Sequence, residues 1–248
     1  MDSTVVKGLE LIEALAGSKG PRGVTSLAAE MGLTKSNVHR LLNTLAGKGY
    51  VKRDASGLHY ELSPKLWELG LRVFSRLRIA DVAKPFMQDL ARSTGETVHL
   101  SILDGFEVVY IDKIEGSQPI RAYTEVGGRA PAWCVATGKA MLAAAKVDPS
   151  LLDYPLPAYT EHSLTTRQQL AEEFQITASR GYAVNKGEWR KDVFGIAAAV
   201  CDGAGNLVGA IGISGPGSRF GPQDIEIWGR TVTDRARALS QIFGGPAV

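Results

Sequence analysis

Apolar residues recur with helical spacing at Val5, Leu9, Ile12 and Ala16, which predicts a first helix over residues 4–16 with those side chains on its buried face. Residues 18–23, SKGPRG, break it. Two short helical patterns follow on either side of Gly32, where glycine lets the backbone turn sharply. The first carries Leu27, Ala28 and Met31 on one side, with Thr25 as its expected cap. The second opens on Thr34, a natural cap, and repeats Val38, Leu41, Leu42 and Leu45 at i, i+3, i+4 and i+7. Its opposite face holds Ser36, Arg40 and Asn43 and carries no acid. Two helices joined by so short a turn, the second with an outward polar row near its start, predict a helix-turn-helix with a recognition helix. An ordinary helical hairpin shares the spacing.

After Tyr50 the period changes to two. Val51 alternates with Lys52 and Arg53, residues 54–57 read as a turn, and Leu58, Tyr60 and Leu62 alternate with His59 and Glu61. This is a hairpin, hence a wing beside the recognition helix, with Lys52, Arg53 and His59 available to touch the DNA backbone. Ser63 and Pro64 then supply a cap and a first-turn proline for a linker helix with Leu66, Leu69, Gly70, Val73 and Leu77 on one stripe. That stripe either packs on the winged domain or, as we favour, pairs with the same helix of a second chain.

Beyond Ile79 helices and strands mix. Val82, Phe86 and Leu90 mark a helix ending near Gly95, and Val98 to Ile114 reads as a hairpin around Asp104-Gly105. A third strand is expected over residues 120–125 and an alanine-rich helix over 138–146. Thr166 and Gln169 have capping-box spacing for a helix that Gly181 closes. Strands over 193–201 and 207–214 flank a turn, and a last helix covers 222–243. The order predicts an α+β domain on one central sheet. The expected organisation is 1–62 winged helix-turn-helix, 63–78 linker helix and 79–248 a second domain.

Composition adds one asymmetry. Residues 1–78 carry 12 Lys and Arg against 7 Asp and Glu, and the remainder 16 against 19, so the half with the helix pair is the basic one, as attraction to phosphates requires. No apolar run approaches the ~20 residues that span a bilayer, and no secretory leader pattern opens the chain, so no membrane partner and a cytoplasmic location are expected. Cys134 and Cys201 form no CxxC or Cys/His pattern, which indicates neither a disulfide framework nor a metal site.

Five blocks in order resemble the IclR family of bacterial transcriptional regulators (isocitrate lyase regulators) over nearly the whole chain. They are LAAEMGLTKSNVHRLLNTLAGKGYVKRD with YELSPKLWELG, then GETVHL, VGGRAPAWCVATGKAMLA, RGYAVNKGEW and VGAIGISGP. The resemblance implies a winged helix-turn-helix joined to an effector-binding domain of GAF-like α+β fold. It also implies dimers or tetramers on a palindromic operator in double-stranded DNA, controlled by a small metabolite, often an organic acid, with no cofactor. Candidate DNA contacts are Thr34, Lys35, Ser36, Asn37, His39, Arg40 and Asn43 with Lys52 and Arg53 of the wing. Carried over position by position, the effector site takes Ile120 or its neighbours, Ala136, Thr137, Asn185, Val193, Gly195, Gly212 and Ser214. The helix starting near Gly138 offers free backbone N–H groups to an anion, and Trp133 and Trp189 are candidate walls.

The chain departs from the common pattern, which often has an acid at Asn185, glycine at Asp192, cysteine at Gly195 and serine at Gly212. If the two glycines line the site, their missing side chains leave room, which favours an aromatic or longer-chain carboxylate. Two competing functions are weighed. An enzyme would need a nucleophile and a base, yet Gly212-Ile213-Ser214-Gly215 lacks the full GxSxG spacing, and Gly203, Gly205 and Gly209 precede strand rather than helix. Cys134 with His99 or His162 is the remaining catalytic pairing. A thiol-based redox sensor would use Cys134 or Cys201.

Overall fold

The first helix, α1 (Ser3–Ala16), buries Leu11 and Leu15, while Val5 and Leu9 of the predicted stripe are exposed. Two apolar stripes run along this helix at helical spacing, and the other one meets the core. Strand β1 (Arg22–Gly23) was not expected. It pairs with β3 and delivers Gly23, extended at φ −82 and ψ 153, as the N-cap of α2 (Val24–Met31), so Thr25 lies inside that helix rather than capping it. Gly32 closes α2 in the left-handed region at φ 63, a conformation glycine adopts without steric cost. Recognition helix α3 (Lys35–Gly47) follows, then β2 (Val51–Arg53), β3 (His59–Leu62) and α4 (Lys65–Phe74).

This is a computed structural model, which describes residues 3–74, 78–120 and 124–245. The chain divides into two compact units, Met1–Leu77 and Arg78–Val248. In the first, the three-stranded antiparallel sheet β1-β3-β2 and three helices enclose Leu11, Leu15, Leu27, Val38, Leu42, Val51 and Tyr60. The expected wing is therefore present. The start of α4 is tied back to the turn before the wing: Ser63 Oγ donates to the Gly49 carbonyl, and Lys65 Nζ donates to the Lys48 carbonyl at 2.6 Å while lying 4.5 Å over the Tyr50 ring. Of the predicted linker stripe, Leu77 lies outside the described residues.

The second unit opens with α5 (Arg78–Thr94), which buries Ile79, Ala83, Met87 and Leu90. Strands β4 (Thr97–Asp104) and β5 (Glu107–Ile114) form the predicted hairpin. Part of the strand expected over 120–125 falls outside the described residues, and the strand that joins β5 is β6 (Arg129–Pro131). Then come α6 (Ala136–Ala144) and α7 (Arg167–Arg180), the latter with the capping box of Thr166 and Gln169 and a left-handed Gly181. Strand β7 (Ala183–Lys186), which the sequence did not announce, precedes β8 (Val193–Cys201), β9 (Leu207–Pro216) and α8 (Pro222–Ile242).

All pairings are antiparallel in the order β6-β5-β4-β9-β8-β7. Strand alternation sorts the two faces. Ala197 and Ala199 of β8 pack toward Ala136 and Ala140 of α6. A Cβ at Gly209 of β9 would lie 3.0 Å from Ile79, so α5 takes the other face. Among the described residues no helix is long and apolar enough to cross a membrane.

Candidate functional site

Each unit carries its own candidate site. On α3 the Thr34 hydroxyl accepts from the Asn37 N–H at 3.3 Å, which fixes where the helix begins. Val38, Leu41 and Leu42 are buried, and Lys35, Ser36, His39, Arg40 and Asn43 are exposed on the other side. Asn37 is half-buried and accepts from Arg40 at 3.3 Å. Asn43 lies 3.4 Å from the His39 ring and accepts from Arg53 of the wing at 3.5 Å, so helix and hairpin present one continuous polar surface. Arg53 also lies 5.3 Å over the Tyr60 ring. Lys52 faces Glu61 across the hairpin at 3.0 Å. An exposed pair of this kind is worth ~0–1 kcal/mol, so a phosphate can displace the glutamate.

In the second unit a cavity opens at the start of α6. Only glycine fits at position 138, because a Cβ there would stand 2.2 Å from the Ala132 carbonyl oxygen, and this close approach folds the turn Ala132–Cys134 against the first turn of the helix. Val135, extended at φ −125 and ψ 148, precedes the helix and no side chain caps it. Ala136 and Thr137, in this first turn without a side-chain cap, line the cavity, and the start of a helix is a favourable place for an anion. Asn185, Trp189 and Arg190 line it from β7 and the following turn, with the guanidinium 4.8 Å over the Trp189 ring. Val193 and Gly195 of β8 and Gly212, Ile213 and Ser214 of β9 form its floor.

His99, Tyr110 and Thr124 complete the lining. The imidazole is 4% exposed, with Nε2 2.7 Å from Ser214 Oγ and Nδ1 3.1 Å from Thr124 Oγ1. Burial, aided by the Lys113 ammonium, holds its pKa down at about 3. Burial pushes the Tyr110 phenol up to about 12, against the nearby Arg190 charge. Asn185 is committed to the protein: its Oδ1 accepts from the Glu188 N–H at 2.9 Å and its Nδ2 donates to the Val193 carbonyl at 3.4 Å. Behind the helix start, buried Lys139 bonds Glu188 at 2.7 Å, the Val184 carbonyl at 2.7 Å and Glu173 at 3.2 Å.

This chemistry bears on the competing functions. The Ser214–His99 pair has the spacing of a nucleophile and base, but an imidazole held near 3 cannot take a serine proton at neutral pH. The Cys134 thiol is buried and pushed up to about 12, and burial raises that of Cys201 too, so both favour the thiol over the reactive thiolate. Among the described residues no group of three or more His, Cys, Asp or Glu side chains is placed to hold a metal ion.

Residues 4–55 match the IclR helix-turn-helix domain and residues 71–241 match the bacterial transcriptional regulator IclR C-terminal family. The chain belongs to the IclR family. It is a DNA-binding transcriptional regulator with an N-terminal helix-turn-helix domain and a C-terminal α+β domain. Among its relatives, the HTH-type transcriptional regulator XynR of Escherichia coli is 32% identical over 98% of each chain. The crystal structure of the Thermotoga maritima IclR superposes with a TM-score of 0.82 at 30% identity, covering 98% of this chain and 100% of that one. An IclR homologue from Microbacterium hydrocarbonoxydans, crystallised in complex with 4-hydroxybenzoate, shares the fold with a TM-score of 0.79 at 21% identity, over 97% of this chain and 100% of that one. The relatives named here are regulators, none of them named for a catalytic activity.

Of the positions that the IclR resemblance carried over, the structure gathers Ala136, Thr137, Asn185, Val193, Gly195, Gly212 and Ser214 at one cavity, and Trp189 with them. Two others lie elsewhere. Ile120 is 69% exposed and its carbonyl accepts from Arg219. Trp133 packs against the core cluster around Val108 and Met141 instead of walling the cavity. The cavity also takes in Thr124, one of the neighbours of Ile120 over residues 120–125, and His99, Tyr110 and Arg190, which the carried-over positions did not include. His99 stands between Val98 and Leu100 in a strand that also holds Thr97 and Ser101, so polarity within the strand did not single it out.

The room expected at the two glycines is absent at Gly212 and narrow at Gly195. A Cβ at Gly212 would meet the Ala197 Cβ at 2.6 Å and the Ile196 carbonyl oxygen at 2.7 Å. One at Gly195 would meet the Ile213 carbonyl oxygen at 3.1 Å and the Ala136 Cβ at 3.6 Å. Gly212 serves close packing and Gly195 leaves a tight fit, so a bulky ligand does not follow from the two missing side chains. Gly212→Ser is accordingly expected to destabilise the protein by about 1–3 kcal/mol through overpacking, read as a lower urea midpoint at unchanged slope. A midpoint equal to that of the unmodified protein would restore the open-space reading.

Proposed function

We propose that this IclR-family regulator binds its operator as a dimer or higher oligomer and that a compact organic carboxylate in the α6 cavity controls that binding. The observation that carries the effector class is the uncapped start of α6, which opens with Thr137 into a cavity that Arg190 also lines. Backbone N–H groups and a guanidinium together suit a carboxylate, and charge-assisted hydrogen bonds are the strong ones. The cavity holds ≈ 40 Å³, against about 10–15 Å³ for one water, which favours a compact acid over a long chain. Aromatic rings at Tyr110, Trp189 and His99 favour a flat body. The 4-hydroxybenzoate bound by the Microbacterium homologue is an acid of this kind.

On the DNA side, Ser36, His39, Arg40 and Asn43 read base edges, Thr34, Lys35 and Asn37 sit at the helix start near the backbone, and Lys52 and Arg53 hold phosphates. One winged domain reads few base pairs. Two-fold symmetry therefore places half-sites about one helical turn, ~34 Å, or a multiple of it apart. Effector binding differs in affinity between two arrangements of the oligomer, and residues 63–78 carry that difference to the recognition helices.

Calorimetry with pyruvate, benzoate, 4-hydroxybenzoate and D-gluconate, alongside benzamide as an uncharged control, tests the effector class. At least one acid should bind and shift the affinity for a DNA site selected in vitro. Arg190→Gln should weaken that acid about tenfold or more and leave any benzamide binding unchanged. Equal affinity for benzoate and benzamide, or an acid whose binding ignores Arg190→Gln, would refute the charge-based reading.

A further inference from the structure

We propose that His99 is a positioning residue that fixes the hydrogen-bond polarity of Ser214, turning the serine hydroxyl proton toward an anionic ligand; this rests on the carboxylate reading above. The strand pairing β4–β9 sets Thr97 opposite Ser214 and His99 opposite Gly212, which brings the ring and the hydroxyl together from positions 115 residues apart. The imidazole then spans two hydroxyls, Ser214 at Nε2 and Thr124 at Nδ1, at 2.7 and 3.1 Å. Its plane is tilted at 59° against the Tyr110 ring, with centroids 5.2 Å apart, so an aromatic wall flanks the ring.

The polarity follows from counting protons. A neutral imidazole carries one N–H and one bare nitrogen, whereas a serine hydroxyl has one proton and two lone pairs. If the proton sits on Nδ1, the ring donates to Thr124 and its bare Nε2 accepts a hydrogen bond from the Ser214 hydroxyl, leaving only serine lone pairs for the cavity. A carboxylate oxygen also offers only lone pairs, so that arrangement repels it. If the proton sits on Nε2, the ring donates to Ser214, the Thr124 hydroxyl donates to Nδ1, and the serine proton is free to point at the ligand. Only this second arrangement lets Ser214 donate to an anion. The buried, strongly acid-shifted ring stays neutral, which excludes the case in which both nitrogens donate. His99 and Thr124 thus act on the ligand through Ser214.

The test uses ¹⁵N NMR of histidine-labelled protein, which contains four histidines, with pyruvate, benzoate, 4-hydroxybenzoate and D-gluconate as probes. His99 is assigned by the signals that vanish in His99→Gln. With any acid that binds, its ring should show a protonated Nε2 and an unprotonated Nδ1. His99→Phe should weaken that acid about tenfold to a hundredfold, the range of a hydrogen bond to a charged group, and Thr124→Val should weaken it in the same direction. His99→Gln, whose amide nitrogen can donate near the Nε2 position, should recover most of the affinity. A protonated Nδ1 or an imidazolium in the bound state would overturn the inference, as would unchanged binding in His99→Phe. A protein that binds none of the four acids would overturn the carboxylate reading itself, and the inference with it.

Discussion

Arg40→Ala is expected to weaken binding to the selected operator by about one to two orders of magnitude, the scale of one good bidentate base contact. Arg40 is exposed on α3, and its guanidinium donates to the Asn37 side chain at 3.3 Å. Val38, Leu41 and Leu42, which anchor the helix in the core, point the other way. Removing the guanidinium therefore takes away the proposed reader of bases while leaving what holds the helix, so circular dichroism and the melting temperature should stay put. Lys52→Ala supplies the contrast. Its ammonium leans on Glu61 and is free to turn to a phosphate, so its loss should weaken all DNA similarly and lower the salt slope by about one per copy. Arg53→Ala should show both effects, since its side chain also holds Asn43 of the recognition helix. Undiminished operator affinity in Arg40→Ala, measured by gel shift at fixed salt, would remove it from the reading surface.

Local signals survived the passage from sequence to structure, and non-local ones did not. The stripe of α3 was legible because its apolar residues leave one wholly polar face. The capping box of Thr166 and Gln169 was legible because both of its reciprocal bonds close within four residues. On α1 two apolar stripes compete, Val5 with Leu9 and Leu11 with Leu15, and only packing against α2 and α3 chooses the second. The first remains at the surface, beside Leu41, Leu45 and Tyr50 along an apolar groove. Thr25 looked like a cap, but the pairing of Arg22 with Tyr60 and Gly23 with His59 starts the helix earlier. No periodicity near residue 23 could announce a partner at residue 59.

The cavity divides in the same way. The helix start at Ala136 and Thr137 and the strands of Gly195 and Ser214 could be placed by resemblance, since they fall in recognisable blocks. His99 enters only because β4 pairs with β9, while Thr124 falls among the neighbours of Ile120 that the resemblance left open. The glycines show the sharper limit. A missing side chain at position 212 means open space or close contact with equal ease in a sequence, and the Ala197 Cβ decides for contact.

Lys139→Met is expected to destabilise the second unit by about 3–5 kcal/mol, the cost of removing one partner from a buried ion pair. Lys139 is 1% exposed on α6, and its ammonium sits between Glu188 and Glu173 with the Val184 carbonyl as a third acceptor. Glu173 keeps Arg180 at 3.2 Å when the lysine is gone. Glu188 does not fare as well. Among the described residues its Oε1 retains the Lys186 N–H at 3.3 Å as its one donor, and its buried Oε2 has no hydrogen-bond partner. Burial already raises the Glu188 pKa above 4.5, and the lysine is the main influence opposing that rise. Without it the folded state should bind a proton more readily than the unfolded chain does. The sign follows: stability of the variant is retained below about pH 4.5 and lost as pH rises through the folded pKa, so the deficit should be larger at pH 7 than at pH 5. Lys139→Met with Glu188→Leu, which removes both charges, should recover much of the loss, since a well-packed apolar pair can replace a buried ion pair at little cost. Urea denaturation at both pH values measures all three proteins. A single variant within about 0.5 kcal/mol of the parent, or a double variant no more stable than the single one, would show that the buried lysine is not what keeps Glu188 tolerable behind the cavity.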